Sequence, residues 1–460
     1  MNSIKFGTDG WRAKIAEDFT FDNVALVTEA FIGWLKEKGL DKNGVAVGYD
    51  NRFQSESFAN VAAKVCSGAG IKTFLSDRAI GSPVLSYTVN NQKLGAGIMI
   101  TASHNPPDWN GFKIKENFGG SAFPETTKAI EKNLSPTTSI TPSGKNIEII
   151  NPLPEYLKAI AKLVDLDLIK NSGLQLFVDA MHGSGAGNFA ALGLNITELR
   201  GKRDPLFGGV NPEPIAVNLQ QSMSYLRDNA QGLAACIVLD GDADRLAAID
   251  ATGKFITTHQ VFSLLLHHLV VHRKMSGDVV KTFNLSRLID KQCAQHGRNL
   301  IVTPIGFKYV ADLMLKQDIL LGGEESGGMG IKGFIPERDG LFAGLMLFEL
   351  MAKEKKTLCQ IMDDLMKEHG YFYYDRIDLH TEKAQETVKK LKEKPPTEYG
   401  GKKITKVETL DGLKLNFEDE SWILFRASGT EPLLRIYCEA RSEDAVTQLL
   451  SAGKKLNLSS

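Results

Sequence analysis

The sequence predicts an α/β protein of three similar units closed by a smaller α+β unit, and three observations carry that reading. A chain of 460 residues is too long for one ordinary core. Short apolar runs alternate with helical segments through the first three quarters, the rhythm of parallel or mixed sheets covered by helices. Composition then breaks at three places, and the segment after the last break differs in kind.

In chain order, 45–49 reads as a strand and 55–69 as a helix stopping near Gly70, with 94–100 as a second strand. The rhythm resumes with strands at 174–178, 234–239, 279–283 and 319–321, followed by a helix over 341–353. Residues 422–425 and 433–438 read as paired strands around a loop, and 442–456 as a closing helix. A Ser/Thr/Pro-rich stretch marks a linker over 135–150, and further breaks fall near Gly253 and Gly370. The expected units are therefore 1–145, 146–254, 255–369 and 370–460.

Lys+Arg (54) nearly balances Asp+Glu (55), so the net charge of −1 gives no electrostatic reason to expect nucleic acid or an anionic membrane as partner. A small anion held by clustered Arg and Lys remains compatible with that balance. The five cysteines, at 66, 236, 293, 359 and 438, have neither metal-ligand spacing nor a disulfide framework. Reduced, buried thiols and a cytoplasmic location are expected. The N-terminus has no apolar signal core, and the most apolar run, 261–271, contains His267 and His268 and is too short to span a bilayer.

Each unit offers one polar, glycine-bearing or proline-bearing loop after an apolar strand, where open α/β sheets bind ligands. The first is Thr101-Ala102-Ser103-His104-Asn105-Pro106, which presents a serine at a strand end; by itself it also reads as a hydrogen-bonded turn. The second, Asp240-Gly241-Asp242-Ala243-Asp244-Arg245, sets three carboxylates at alternate positions. These would repel without a cation, and their hard oxygens suit Mg²⁺. An EF-hand is excluded because Arg245 and Ala251 stand where that loop needs Gly and Glu. The third, Gly322-Gly323-Glu324-Glu325-Ser326-Gly327-Gly328, turns Glu324 and Ser326 one way as partners for sugar hydroxyls. The fourth, Arg426-Ala427-Ser428-Gly429-Thr430-Glu431-Pro432 with Arg435 beyond it, combines guanidinium, hydroxyl and turn-amide donors into a phosphate cradle. Ser103 alone is a poor nucleophile. As a phosphoserine beside a tri-aspartate cation, with a second phosphate held elsewhere, it becomes part of a mutase: a phosphatase needs no second anchor.

With these loops and the N-terminal Gly7-Thr8-Asp9-Gly10-Trp11-Arg12 in this order, the sequence resembles the α-D-phosphohexomutase superfamily along its whole length, and most closely a bacterial-type phosphoglucomutase. The resemblance implies three similar α/β domains and a C-terminal domain of the TATA-binding-protein-like kind around a central cleft. It implies that Ser103 is the phosphoserine, that Asp240, Asp242 and Asp244 with Ser103 hold Mg²⁺, and that Arg12 and Arg245 support the transferring phosphoryl group. His104 and Lys113 are candidates for proton transfer, Lys113 equally for charge stabilisation. Glu324 and Ser326 read sugar hydroxyls, Lys308 touches substrate, and Arg426, Ser428, Gly429, Thr430 and Arg435 hold the non-reacting phosphate. Glucose 1,6-bisphosphate is the expected activator, and the expected state is monomer or homodimer. Dual glucose/mannose members place Met and His where Glu325 and Gly328 stand, and phosphoglucosamine mutases usually have Gln for Glu325 and Ser for Thr101. These departures favour glucose phosphate over mannose phosphate and glucosamine phosphate. A bisphosphate synthase and a non-catalytic sugar-phosphate sensor are the rivals of other classes.

Overall fold

The computed structural model describes residues 4–7, 9–429 and 432–458. Four sheets follow one another along the chain. The first runs in the order Trp11–Lys14, Trp109–Glu116, Ala96–Ile100, Val45–Tyr49, Thr73–Ser76, Ile147–Ile150. Its inner strands are parallel, and Trp109–Glu116 is antiparallel to both of its neighbours. The second is Phe255–Ile256, Leu246–Asp250, Ala234–Leu239, Gln175–Asp179, Ile196–Leu199, and the third is Leu300–Thr303, Asp278–Thr282, Ile319–Gly323, Met329–Ile331. The fourth is wholly antiparallel, from Tyr373–His380 at one edge to Glu398–Tyr399 at the other.

Two of the expected divisions cut through a sheet. Ile147–Ile150 lies beyond residue 145 yet pairs parallel with Thr73–Ser76, so the first sheet closes only after the linker-like stretch. Phe255–Ile256 lies beyond residue 254 yet pairs with Leu246–Asp250. Both edge strands are short, four and two residues, and lie beside the linker-like stretch and Gly253, so composition does not set them apart.

One apolar core runs through the three α/β units, joining for example Val84, Val178 and Leu320, whereas the last unit has a core of its own around Leu415, Phe425 and Ile436. The helix Gly340–Glu354 is buried on every side down to Ala352, which is why its sequence is apolar all round. Residues 261–271 lie in the helix Thr258–His267 and the π-helical turn His268–His272, and their apolar side chains up to Val270 pack in that same core. Among the described residues no helix is long and apolar enough to cross a membrane. All five cysteines are free, and Cys359 alone among them is only half-buried.

Asp339 caps the helix Gly340–Glu354 by accepting from the Phe342 amide at 2.9 Å, and it accepts the Tyr156 hydroxyl. Burial pushes its carboxyl up to about 7, against the pull of those donors. A carboxyl whose folded pKa is raised binds protons in the folded state that the unfolded chain has released, so stability falls as pH climbs from about 4 to about 7. Asp339→Asn keeps an N-cap acceptor and removes the titration. It should flatten that slope and raise stability near neutral pH, by at most about 4 kcal/mol. Denaturant unfolding at several pH values checks this; an unchanged slope refutes it.

Candidate active site

Three of the four loops meet. The strand Ala96–Ile100 delivers Ser103, fully buried and in the left-handed backbone region at φ 52°. Its Oγ donates to Asp240 Oδ2 at 2.8 Å and lies 3.4 Å from His104 Nδ1. Thr101 Oγ1 accepts from the Ser103 amide at 2.9 Å and donates to Asp50. The unusual backbone is held by Arg52, which sequence reasoning missed. Its guanidinium is fully buried and donates to the carbonyls of Ser103, Asn105, Pro106 and Trp109. Asp50, 3.2 Å away, balances its charge.

The second loop joins the antiparallel strands Ala234–Leu239 and Leu246–Asp250. Gly241 sits against the first loop so closely that a Cβ there would lie 2.5 Å from the Ser103 carbonyl oxygen. Asp240, Asp242 and Asp244 have no solvent exposure, and each brings a carboxylate oxygen within 4.8 Å of the others. Asp240 Oδ1 accepts from the amides of Asp244 and Arg245. Asp242 Oδ2 accepts from Ser82 and Lys113. Asp242 Oδ1 and Asp244 Oδ1 are buried without a hydrogen-bond partner. Orphaned carboxylate oxygens in a dry site are costly without a cation. This all-oxygen donor set fits Mg²⁺. Burial, and then repulsion from Asp242 and Asp244, pushes the Asp240 carboxyl well above its usual range.

Lys113 and Lys115 stand two residues apart on the strand Trp109–Glu116, so they share one face, while Phe112 and Ile114 pack on the core side. Lys113 Nζ reaches Asp242 at 2.8 Å, Asp9 at 3.0 Å and Asp244 at 3.2 Å. Burial alone would depress this ammonium, but the carboxylates, Asp242 foremost, raise its pKa and keep it charged. His104 goes the other way: burial, then Arg245 and Arg12, hold it well below an ordinary imidazole. Arg12 donates to Asn105 Oδ1 at 2.7 Å, and Arg245 lies 3.8 Å from Asp244 Oδ1.

The third loop docks on the second: the Leu246 amide donates to the Gly327 carbonyl at 3.0 Å, and Arg245 bridges to Gly328. Arg338 holds the junction and was also missed. It reaches Asp9 at 2.7 Å, Asp244 at 2.9 Å, Glu337 at 3.3 Å and Glu324 at 3.9 Å while almost wholly buried. Glu337 pairs in turn with Lys115 at 2.7 Å; burial would raise its carboxyl, but Lys115 and Arg338 bring it down to about 2. Burial raises the Glu324 carboxyl despite Arg338 and Arg245. Six carboxylates (Asp9, Asp240, Asp242, Asp244, Glu324, Glu337) thus face five cations (Arg12, Lys113, Lys115, Arg245, Arg338) in one network. Asp9 lies in the quoted N-terminal hexapeptide, which is the one signal that pointed to it.

Glu325 does not share the position of Glu324. It accepts from the Tyr374 hydroxyl at 2.9 Å and pairs with Arg376 at 3.2 Å, tying the third loop to the edge strand of the last sheet. Ser326 is half-buried on the same loop. Lys308 lies in the first turn of the helix Phe307–Lys316, its ammonium 5.3 Å from the Tyr309 ring. In the fourth loop Arg426 pairs with Asp411 at 3.0 Å, and Asp411 accepts from the Ile305 amide of the third unit at 2.9 Å. Arg435 lies 3.8 Å from Asp378, and the Ser428 amide donates to Leu433 at 2.8 Å. A side chain at Gly429 would meet open space. Thr430 lies outside the described residues. These contacts of the fourth loop stay within the last unit, and only through Asp411 do they lead on to the third, while Ser103, the three aspartates, Lys113, Arg12, Arg245 and Glu324 form one connected group.

Comparison with known proteins gives the same four-part division. Family models described as phosphoglucomutase/phosphomannomutase match in series: alpha/beta/alpha domain I over residues 3–140, domain II over 154–253, domain III over 257–369 and the C-terminal domain over 377–452. A protein of Thermococcus kodakarensis named phosphoglucomutase/phosphomannomutase is 31% identical, with 98% of each chain covered. A probable phosphoglucosamine mutase of Methanosphaera stadtmanae is 28% identical over 98% of this chain and 97% of its own. The crystal structure of a putative phosphomannomutase from Thermus thermophilus superposes with a TM-score of 0.89 at 34% identity, covering 99% of both chains.

Proposed function

The chain belongs to the phosphoglucomutase/phosphomannomutase family and is therefore a phosphohexomutase; from that premise we propose that it interconverts glucose 1-phosphate and glucose 6-phosphate through a phosphorylated Ser103 and glucose 1,6-bisphosphate. The observation that carries this reading is the Ser103 hydroxyl 2.8 Å from Asp240, inside a buried tri-aspartate group with two orphaned oxygens.

Asp240, Asp242, Asp244 and Ser103 Oγ would hold Mg²⁺, which when bound supplies countercharge to the phosphoryl group in transit. Arg426, Ser428, Gly429, Thr430 and Arg435 grip the phosphate of glucose 1-phosphate, with Lys308 as a further contact. Glu324 and Ser326 orient the sugar by its hydroxyls. The 6-hydroxyl then attacks the phosphorus in line; its bond to phosphorus forms as the bond from phosphorus to Ser103 Oγ breaks. The hydroxyl proton passes to a neighbouring base, for which His104 is the better placed candidate because Lys113 Nζ is already engaged by three carboxylates. Arg12 and Arg245 support the phosphoryl oxygens. The bisphosphate turns over, Ser103 Oγ bonds to the phosphorus of the 1-phosphate as its bond to O1 breaks and O1 takes up the proton, and glucose 6-phosphate leaves. Glucose 1,6-bisphosphate from solution restores a lost phosphoserine. The enzyme acts on free hexose phosphate in the cytoplasm, as a monomer or homodimer.

Glucose is favoured over mannose by the third loop. A Cβ at Gly328 would lie 2.2 Å from Arg338 Cδ, so the histidine of the dual-specificity enzymes has no room while Arg338 spans Asp9 and Asp244. Glu325 and Thr101 contribute less to the choice: the first faces the last unit and the second braces Ser103. A coupled assay with Mg²⁺ on glucose, mannose and glucosamine 1-phosphates decides. The highest kcat/KM is expected for glucose 1-phosphate, and a higher value for either competitor overturns that choice.

Arg426→Ala should raise KM for glucose 1-phosphate at least about tenfold, the loss of one charge-assisted phosphate contact. An unchanged KM removes the fourth loop from the site.

A further inference from the structure

Far along the third unit, a second set of metal-ligating side chains converges: His267, His272 and Glu354. The two imidazole Nε2 atoms lie 2.7 Å and 3.0 Å from the same carboxylate oxygen, Glu354 Oε1. The rings stand edge to face, 5.3 Å apart and at 84°. Sequence spacing alone would not bring them together, because residues five apart are about 140° apart around an α-helix. The π-helical turn His268–His272 carries His272 back over the face of His267. Glu354 ends the helix Gly340–Glu354, which packs in the same core as the helix Thr258–His267. The convergence is therefore fixed by two buried elements and by an irregular turn, not by flexible surface side chains.

Two imidazole nitrogens and one carboxylate oxygen are the donor set of zinc, and a poor one for Mg²⁺. On a tetrahedral zinc, ligand atoms lie about 3.3 Å apart. The separations of 2.7 Å and 3.0 Å from Glu354 Oε1 need to widen by only a few tenths of an ångström. Lys356 Nζ lies 3.4 Å from Glu354 Oε2, so it orients the carboxylate through the other oxygen. The three side chains are 14–23% exposed, which leaves a path for an ion and a coordination position for water. We propose that His267, His272 and Glu354 form an exchangeable Zn²⁺ site, separate from the phosphoryl-transfer loops, that clamps the C-terminal ends of these two helices.

The test uses the full-length protein, stripped of metal and returned to excess Mg²⁺, titrated with ZnCl₂ by calorimetry and followed by thermal unfolding. One equivalent of Zn²⁺ is expected to bind and to raise Tm. Asp242→Asn should retain that equivalent, which separates it from the tri-aspartate site. His272→Ala and, independently, Glu354→Gln should weaken it at least about tenfold and abolish the rise in Tm. Co²⁺ in place of Zn²⁺ should give visible absorption that vanishes in the same variants. If Zn²⁺ fails to bind under excess Mg²⁺, or binds equally well in both His272→Ala and Glu354→Gln, the trio is only a hydrogen-bonded staple and the proposal is wrong.

Discussion

Ser103→Ala should lose mutase activity by at least on the order of 10⁴-fold, the scale on which enzymes respond to removal of a covalent nucleophile. The loss should fall on kcat, because the groups proposed to bind the sugar phosphate lie on other loops. The fold should survive. The Ser103 hydroxyl gives one hydrogen bond to Asp240, while its loop is held by backbone contacts from Arg52 and Thr101 that alanine leaves in place. Intact mass supplies an independent readout: the wild-type chain should gain one phosphate from glucose 1,6-bisphosphate and the variant should not. Substantial turnover by the variant would overturn the phosphoserine route whatever sugar is used.

Arg338→Met should be nearly as damaging for a different reason. The guanidinium answers Asp9, Asp244, Glu324 and Glu337 at once. Removing it leaves six carboxylates facing four cations in a site that admits little water. Breaking a buried ion pair from one side costs about 3–5 kcal/mol, so a clear fall in Tm is expected together with a fall in kcat. Excess Mg²⁺ should recover part of the stability by neutralising the aspartates. A variant with wild-type Tm and kcat would show that the network is redundant at this point.

Much of this was legible because its signals are local. Apolar runs as short as 234–239 read as buried strands, and three alternating aspartates after one need a counterion. Ser103 and the aspartates announce themselves by residue type at a strand end. Arg52, Arg338 and Glu337 do not. Arg52 stands in Asp50-Asn51-Arg52, and Glu337 and Arg338 in Glu337-Arg338-Asp339, short charged stretches where solvent exposure is the ordinary expectation. Their burial follows from which segments the fold stacks together, and that is not written in their neighbours. Glu324 and Glu325 make the same point within one dipeptide. Adjacent positions turn opposite ways, so one joins the charged network and the other reaches the last sheet. The sheet edges at 147–150 and 255–256 escaped because each is a very short run beside a turn-rich stretch.

The last unit keeps its own apolar core and is joined to the third partly by two ionic clasps, Glu325 with Arg376 and Glu420 with Lys291, and by Asp411 accepting from the Ile305 amide. Both clasps are partly exposed, and exposed charges are screened over a distance of about 8 Å at physiological salt. Such clasps make the hold of the last unit on the third sensitive to ionic strength. On the proposed phosphoserine route, raising salt should let more of the bisphosphate escape per turnover before its second transfer, so that the enzyme demands more primer even where its chemical step is unaltered.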